Sequence, residues 1–290
     1  MIRKLCFLLL LAFAVNTQAL EVLLSGTRFQ GCRTFPYGVP LLEWVVPRAV
    51  EIGSTVYAVA SNESGQVYGL VDDDTEEVDV PYRVVRFMPS GERVVFAAGL
   101  GHAGALTVAD DGRVFVIADY GFGKRIDRYS PAGKWEAFYT LLAAHTDLLD
   151  VASDGCTLFY RLGTGIERIN GCTGQQLLPF ADIPNVQDLE VQPDGHVLVA
   201  TGSAVLLYDA AGTLVRTVAT AEPGRTIDQA SVHDGVLWMT SHDPCSDGAL
   251  LRVSFANGTV LSRHALTHMT TTSGMVVTGS WPVRRRAARH

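Results

Sequence analysis

The sequence predicts an all-β fold: a β-propeller of six four-stranded blades, with five as the alternative count, closed by strands from the two chain ends. Three observations predict it. Short runs rich in Val, Leu, Ile, Phe and Tyr recur between Gly, Asp and Asn, and long stretches of helical period are missing, the signature of many short strands. Asp-Gly pairs begin at Asp111, Asp154, Asp194 and Asp234, with spacings of 43, 40 and 40. A second series, Gly91, Gly133, Gly174, Gly212 and Gly258, is spaced by 42, 41, 38 and 46. Two glycine series with one period mark a repeat.

The chain opens with Arg3 and Lys4, an unbroken apolar run from Leu5 to Val15, and then Asn16, Thr17, Gln18 and Ala19. This is the layout of a cleavable secretory signal over residues 1–19, cut after Ala19. The run is far short of the ~20 residues that span a bilayer, and no later stretch is apolar enough to do so. The mature chain, 20–290, is expected to be one propeller domain.

Each repeat reads as four strands. Strand A, such as Ala105 to Val108, runs into the Asp-Gly, which suits a tight hairpin because both residues tolerate positive φ. Strand B follows at once (Val114 to Ala118). A variable loop leads to strand C (Arg125 to Tyr129), and a glycine turn leads to strand D (Trp135 to Tyr139). Four antiparallel strands in about forty residues make a propeller blade. Four blades are clear, at 103–141, 146–180, 186–219 and 226–266. A fifth spans 41–99. Its B–C loop carries an acidic insertion, Asp72, Asp73, Asp74, Glu76, Glu77 and Asp79, read as a solvated lid. Glu21 to Ser25 and about Met269 to Gly279 are expected to combine into a closing blade, since a ring left open exposes an unpaired edge.

The formal charge is −7, and loss of Arg3 and Lys4 makes it more negative. An acidic chain makes a poor nucleic-acid binder. Arg284, Arg285, Arg286 and Arg289 read as a solvated tail. Cys6 leaves with the signal, and Cys32, Cys156, Cys172 and Cys245 remain. An even number in an exported chain points to two disulfides. A hairpin centred on Thr164 would set Cys156 directly opposite Cys172, close enough to bridge. Cys32–Cys245 follows by elimination. The four show no paired spacing of the kind that holds zinc.

One blade carries a more specific pattern: Gly104-Ala-Leu-Thr-Val-Ala-Asp-Asp-Gly-Arg-Val-Phe-Val-Ile-Ala-Asp119, then Arg125-Ile126 and Tyr129. It resembles an NHL repeat, and the chain resembles the NHL and gluconolactonase-like propellers. That group includes binding modules, lactonases and lyases, so the fold settles no activity. The gluconolactonase-like resemblance implies a metal held by a Glu, an Asn and an Asp at inner strand starts. Asp147 matches such a place. Gly104, Gln187 and Ile227 occupy the others, and Asp188 and Asp228 enter if the register slips by one. Glu43 is the candidate N-terminal Glu, without the family's flanking Gly-Pro. A hydroxyglycine-lyase resemblance implies His102 and His145 with Tyr120 and Arg125, while Asn185 or Arg225 falls where a third histidine is expected.

In a propeller the A–B and C–D turns share one face, and the D–A and B–C loops share the other. The variable loops mark the second face as the functional one. Counted back from each Asp-Gly, His102 and His145 occupy equivalent places at the start of strand A, near the central channel. Asp147, Asp188 and Asp228 lie close by, Asp150 and Glu190 lie further down strand A, and His242 and Asp243 reach the same face from a B–C loop. Carboxylates suit Ca2+, and imidazoles with a carboxylate suit Zn2+. A bound metal would polarise a carbonyl and acidify a water. The bland alternative is that these groups bind water or accept backbone N–H bonds. Nucleophile elbow, phosphate loop and HExxH motifs are missing. Asn62-Glu-Ser64 and Asn257-Gly-Thr259 match the glycosylation pattern. The leading expectation is a small ligand or a protein bound on the loop-rich face. The alternative is a hydrolase, lactonase or lyase dependent on Ca2+ or Zn2+, with its site at the top of the channel.

Overall fold

A computed structural model describes residues 21–28, 39–45, 56–62, 64–72, 82–88, 92–141, 147–243, 246–266 and 271–278. The first blade comprises β3 (Val56–Ser61), β4 (Val67–Asp72), β5 (Tyr82–Phe87) and β6 (Arg93–Leu100). The second is β7 (His102–Val108), β8 (Val114–Asp119), β9 (Lys124–Tyr129) and β10 (Trp135–Thr140). The third is β11 (Leu149–Val151), β12 (Thr157–Leu162), β13 (Gly165–Asn170) and β14 (Ala181–Asp182). The fourth is β15 (Val186–Val191), β16 (Val197–Thr201), β17 (Ala204–Tyr208) and β18 (Leu214–Thr220), and the fifth is β19 (Thr226–His233), β20 (Val236–Asp243), β21 (Ser246–Ser254) and β22 (Val260–Leu266). Each pairs consecutively and antiparallel, the pattern expected of an A–B–C–D blade.

The two chain ends meet in a sixth sheet. β1 (Glu21–Arg28) pairs on one side with β2 (Val39–Val45) and on the other with β23 (Thr271–Thr278). Six sheets therefore form the ring, five of them four-stranded and the closing one three-stranded among the described residues. One expectation needs correction. The first blade begins at Val56 rather than near residue 41, because β2 pairs with β1. A strand pattern in the sequence shows that a strand exists but not which neighbour it pairs with.

Closure also shows in the core. Buried side chains from the first and second blades pack together (Tyr68, Leu70, Leu106, Val116), as do those of the second and third (Phe115, Ile126, Leu158, Ile169). The same holds between the third and fourth (Phe159, Ile166, Val197) and the fourth and fifth (Leu198, Leu237, Met239). Leu24 with Trp238 and Leu250 joins the closing sheet to the fifth blade, and Val276 with Val56 and Phe87 joins it to the first. Among the described residues, each of the six interfaces has an apolar core. β3, β7, β11, β15, β19 and β23 are the innermost strands and surround the axis.

Cys156 and Cys172 are bridged, with Cα atoms 5.2 Å apart. The hairpin is tighter than a turn centred on Thr164. Leu162 faces Gly165 across a two-residue Gly163-Thr164 turn, and Thr157 faces Asn170. Strict register would thus put Gly171 opposite Cys156, and Gly171 N–H does donate to the Cys156 carbonyl at 2.7 Å. The chain turns at residues 171–173, which brings Cys172 back onto its partner. Cys32 and Cys245 lie outside the described residues, as does the 73–81 part of the acidic insertion. Asn62 is a turn residue: its Oδ1 accepts from Ser64 Oγ at 2.8 Å and Gln66 N at 3.0 Å, and it is buried. Asn257 is exposed, and its Oδ1 accepts from Thr259 N.

Candidate functional site

Each innermost strand has one edge paired within its blade and one edge turned to the axis, where its N–H groups need other partners. On one side of the ring, carboxylates supply them. Asp150 on β11 accepts from Val191 N of the next blade at 2.7 Å, and also from Val151 N at 2.8 Å and Thr107 Oγ1 at 2.9 Å. Asp188 on β15 accepts from Ala230 N at 2.9 Å, and Glu190 accepts from Val232 N at 3.0 Å. Asp188 and Glu190 lie two residues apart, so strand alternation puts both on the side that faces β19.

These strands enclose an axial channel of about 920 Å3. Its lining runs from the strand starts (Gly104, Asp147, Asp188) to the A–B turns (Asp110, Ser153, Pro193, Asp234). Burial raises all three carboxyls despite their backbone donors, Asp150 to about 6 and Asp188 and Glu190 to about 8. Asp150 and Asp228 push Asp188 further up, and Asp150 and Asp188 do the same to Glu190. Like charges brought together away from bulk water disfavour ionisation. The channel wall is therefore a coupled set of acids, of which Asp188 and Glu190 hold their protons near neutral pH.

The other sequence-selected residues are dispersed. Asp147 lines the channel but pairs with Arg161. Asp228 is buried and accepts or donates across 2.7 Å to His242 Nδ1. This contact fixes the ring and leaves Nε2 as the free nitrogen of that pair. Asp243 follows His242 at the end of β20. His102 is exposed and meets Tyr82 edge-on, with ring centroids 5.1 Å apart. His145 lies outside the described residues. Tyr120 and Arg125 converge on Asp127: Tyr120 Oη donates at 2.7 Å, Arg125 Nε lies at 3.0 Å, and Trp135 Nε1 donates at 3.2 Å. The Arg125 guanidinium stacks 3.9 Å from the Tyr120 ring. Neither residue lines the channel. Asp127 is fully buried, and this network builds the blade's outer edge.

Among the described residues, no three His, Cys, Asp or Glu side chains converge to hold a metal ion. Asp147, Asp188 and Asp228 are directed to Arg161, to the β19 backbone and to His242, so together they do not fit a metal. Three channel groups escaped the sequence reading. Thr107 orients Asp150. Gln192 and Gln229 line the channel, but amides carry no spacing signal. Gln192 alone follows the Asp188–Glu190 alternation.

No family model and no curated protein sequence matches the chain. Solved structures match in shape. A chain of a nidogen/laminin complex aligns with a TM-score of 0.66 at 11% identity, covering 89% of this chain and 98% of its own. A Bacteroides caccae protein of unknown function gives 0.62 at 13% identity, covering 92% and 100%. A gluconolactonase from Xanthomonas campestris gives 0.53 at 16% identity, covering 71% and 80%. The chain is a β-propeller. The resemblance to NHL and gluconolactonase-like propellers holds at the level of the fold, and identities this low carry no activity across.

Proposed function

We propose that the protein binds a small molecule in its axial channel. The observation that carries this reading is the acidic wall of Asp150, Asp188 and Glu190 along a cavity of about 920 Å3. Cavities of several hundred cubic ångströms with a few convergent polar groups are the usual form of a ligand site. A propeller needs backbone caps at its axis but does not need three coupled acids, since neutral side chains satisfy N–H groups at less cost. The Cys156–Cys172 bridge supports a location outside the reducing cytoplasm. No helix of the described residues is long and apolar enough to cross a membrane.

One observation favours the metal-dependent hydrolase or lyase alternative: His242, oriented by the buried Asp228, is poised as a base or ligand. Both readings are tested by thermal melts with glucose, glycerol, spermidine, Ca2+ and Zn2+, on the native chain and on Ser153→Trp, which narrows the channel mouth. Stabilisation by an organic probe that Ser153→Trp abolishes supports the channel site. Stabilisation by metals alone, or by none of the organic probes, rejects it.

A further inference from the structure

The channel has two unlike walls. β11 contributes Asp150 and β15 contributes Asp188 and Glu190, both facing β19, while β3, β7 and β23 oppose them with Ala58, Leu106 and Val276. Among the described residues, none of the three acids forms an ion pair. Their backbone donors bring no full positive charge, and the basic groups on the lining are turned elsewhere, His233 to Asp234 and Arg252 over the Trp238 ring. Two amides lie on the polar side, one of them with a buried nitrogen that lacks a partner. Gln192 Nε2 is buried without a hydrogen-bond partner. Gln229 is 6% exposed, lines the channel, and has no side-chain partner among the described residues. Buried amides of native proteins are nearly always paired, so the channel offers more hydrogen-bonding capacity than the chain itself uses.

We infer that the channel takes a small amine carrying hydroxyl groups on an apolar frame. This rests on the channel being the binding site and adds the chemistry of its guest. An ammonium set among Asp150, Asp188 and Glu190 takes the place of the protons that Asp188 and Glu190 hold, releasing them to solvent, and its three N–H donors reach separate acceptors. A bare divalent ion instead needs oxygens converging on one point, which the described residues do not provide. Hydroxyl groups, both donors and acceptors, complete the amides of Gln192 and Gln229. The apolar frame lies along the β3, β7 and β23 side, where the lining residues Leu106 and Val276, largely committed to the blade interfaces, carry no charge.

The test is a matched pair of probes titrated calorimetrically into the full-length mature protein at pH 7. Aminocyclohexanol and cyclohexanediol share size, ring and one hydroxyl, and differ by an ammonium in place of the other. The amine is expected to bind about tenfold or more tightly, the ratio one charge-assisted hydrogen bond supplies. That preference should vanish in Asp188→Asn/Glu190→Gln, whose fold is checked by circular dichroism. The comparison on the native protein stands even if the variant does not fold. Equal or better binding of the diol overturns the amine assignment and leaves the channel reading intact. Binding of neither overturns both, and calcium competing with the amine at equal concentration also overturns the assignment.

Discussion

At Gly133 the backbone runs at φ 77°, and a Cβ there would lie 2.1 Å from the Phe96 carbonyl oxygen of the preceding blade. Gly212 repeats the arrangement at φ 85°, 2.1 Å from the Phe180 carbonyl oxygen. The second glycine series thus marks more than turns, because its C–D turns dock on the neighbouring blade. Gly224 shares the positive φ, at 78°, but meets nothing within 4 Å. The two effects therefore separate. Gly224→Ala should cost about 1 kcal/mol, the conformational term alone. Gly133→Ala should cost about 3 kcal/mol, since its methyl meets backbone that cannot move without opening a blade interface. Urea denaturation of both variants gives the difference, and equal losses would show that docking adds nothing. Asp150 and Glu190 were legible because offsets from the Asp-Gly turn align equivalent strand positions. Thr107 and Gln229 were not, because whether a side chain is spent on a neighbour depends on contacts between blades that no periodicity encodes.

The hairpin of β12 and β13 shows what a strand pattern resolves and what it does not. Both cysteines were assigned correctly although the register was off by one, because the residue-scale turn, Gly163-Thr164, is one residue shorter than a turn centred on Thr164. Type II′ hairpins want glycine at the first central position, and Gly163 carries φ 61° there. Most strand limits were legible for the same local reason: alternation and turn chemistry are written within a few residues. The pairing of β2 with β1 is a choice between distant partners and left no local trace. The bridge spans 16 residues, and Arg113 Nη1 donates to Cys172 Sγ at 2.8 Å from the second blade, so the third blade is tied both within itself and to its neighbour. Cys156→Ser/Cys172→Ser should lose about 3 kcal/mol in the chain-entropy model, seen as a lower melting temperature. A reducing agent should produce at least the same loss in the native chain. Sensitivity that persists in the variant would point to a second bridge.

Closure of the ring couples its two ends to its axis. β23 pairs with β1 and lines the channel through Met275, Val276 and Val277, so a chain ending before residue 271 loses both the clasp and part of the apolar wall. Such a truncation should melt without a single cooperative transition and aggregate through the exposed faces of the first and fifth blades; a soluble, cooperatively melting truncation would mean that five blades suffice. The intact ring also concentrates charge. Asp188 and Glu190 keep their protons to about pH 8 and Asp150 to about pH 6, whereas in the unfolded chain they ionise near pH 4. Between these limits the native state binds more protons than the unfolded one, so stability must fall as pH rises from about 4 to about 8. Above about 8 both states are ionised and this contribution is flat. The same set includes Asp228, held by His242, with His233 and Arg252 also on the channel lining, and surface groups add their own slopes. The decisive quantity is therefore a difference between variants. Asp188→Asn/Glu190→Gln mimics the protonated acids at every pH. It should melt close to the native protein near pH 4 and above it near pH 8, with the gap widening in between by roughly 2–4 °C for each kcal/mol of repulsion removed. Melting curves of the two proteins that stay parallel across this range would mean that water in the channel solvates the acids well enough for them to ionise normally, and that the axis carries open negative charge in place of stored protons.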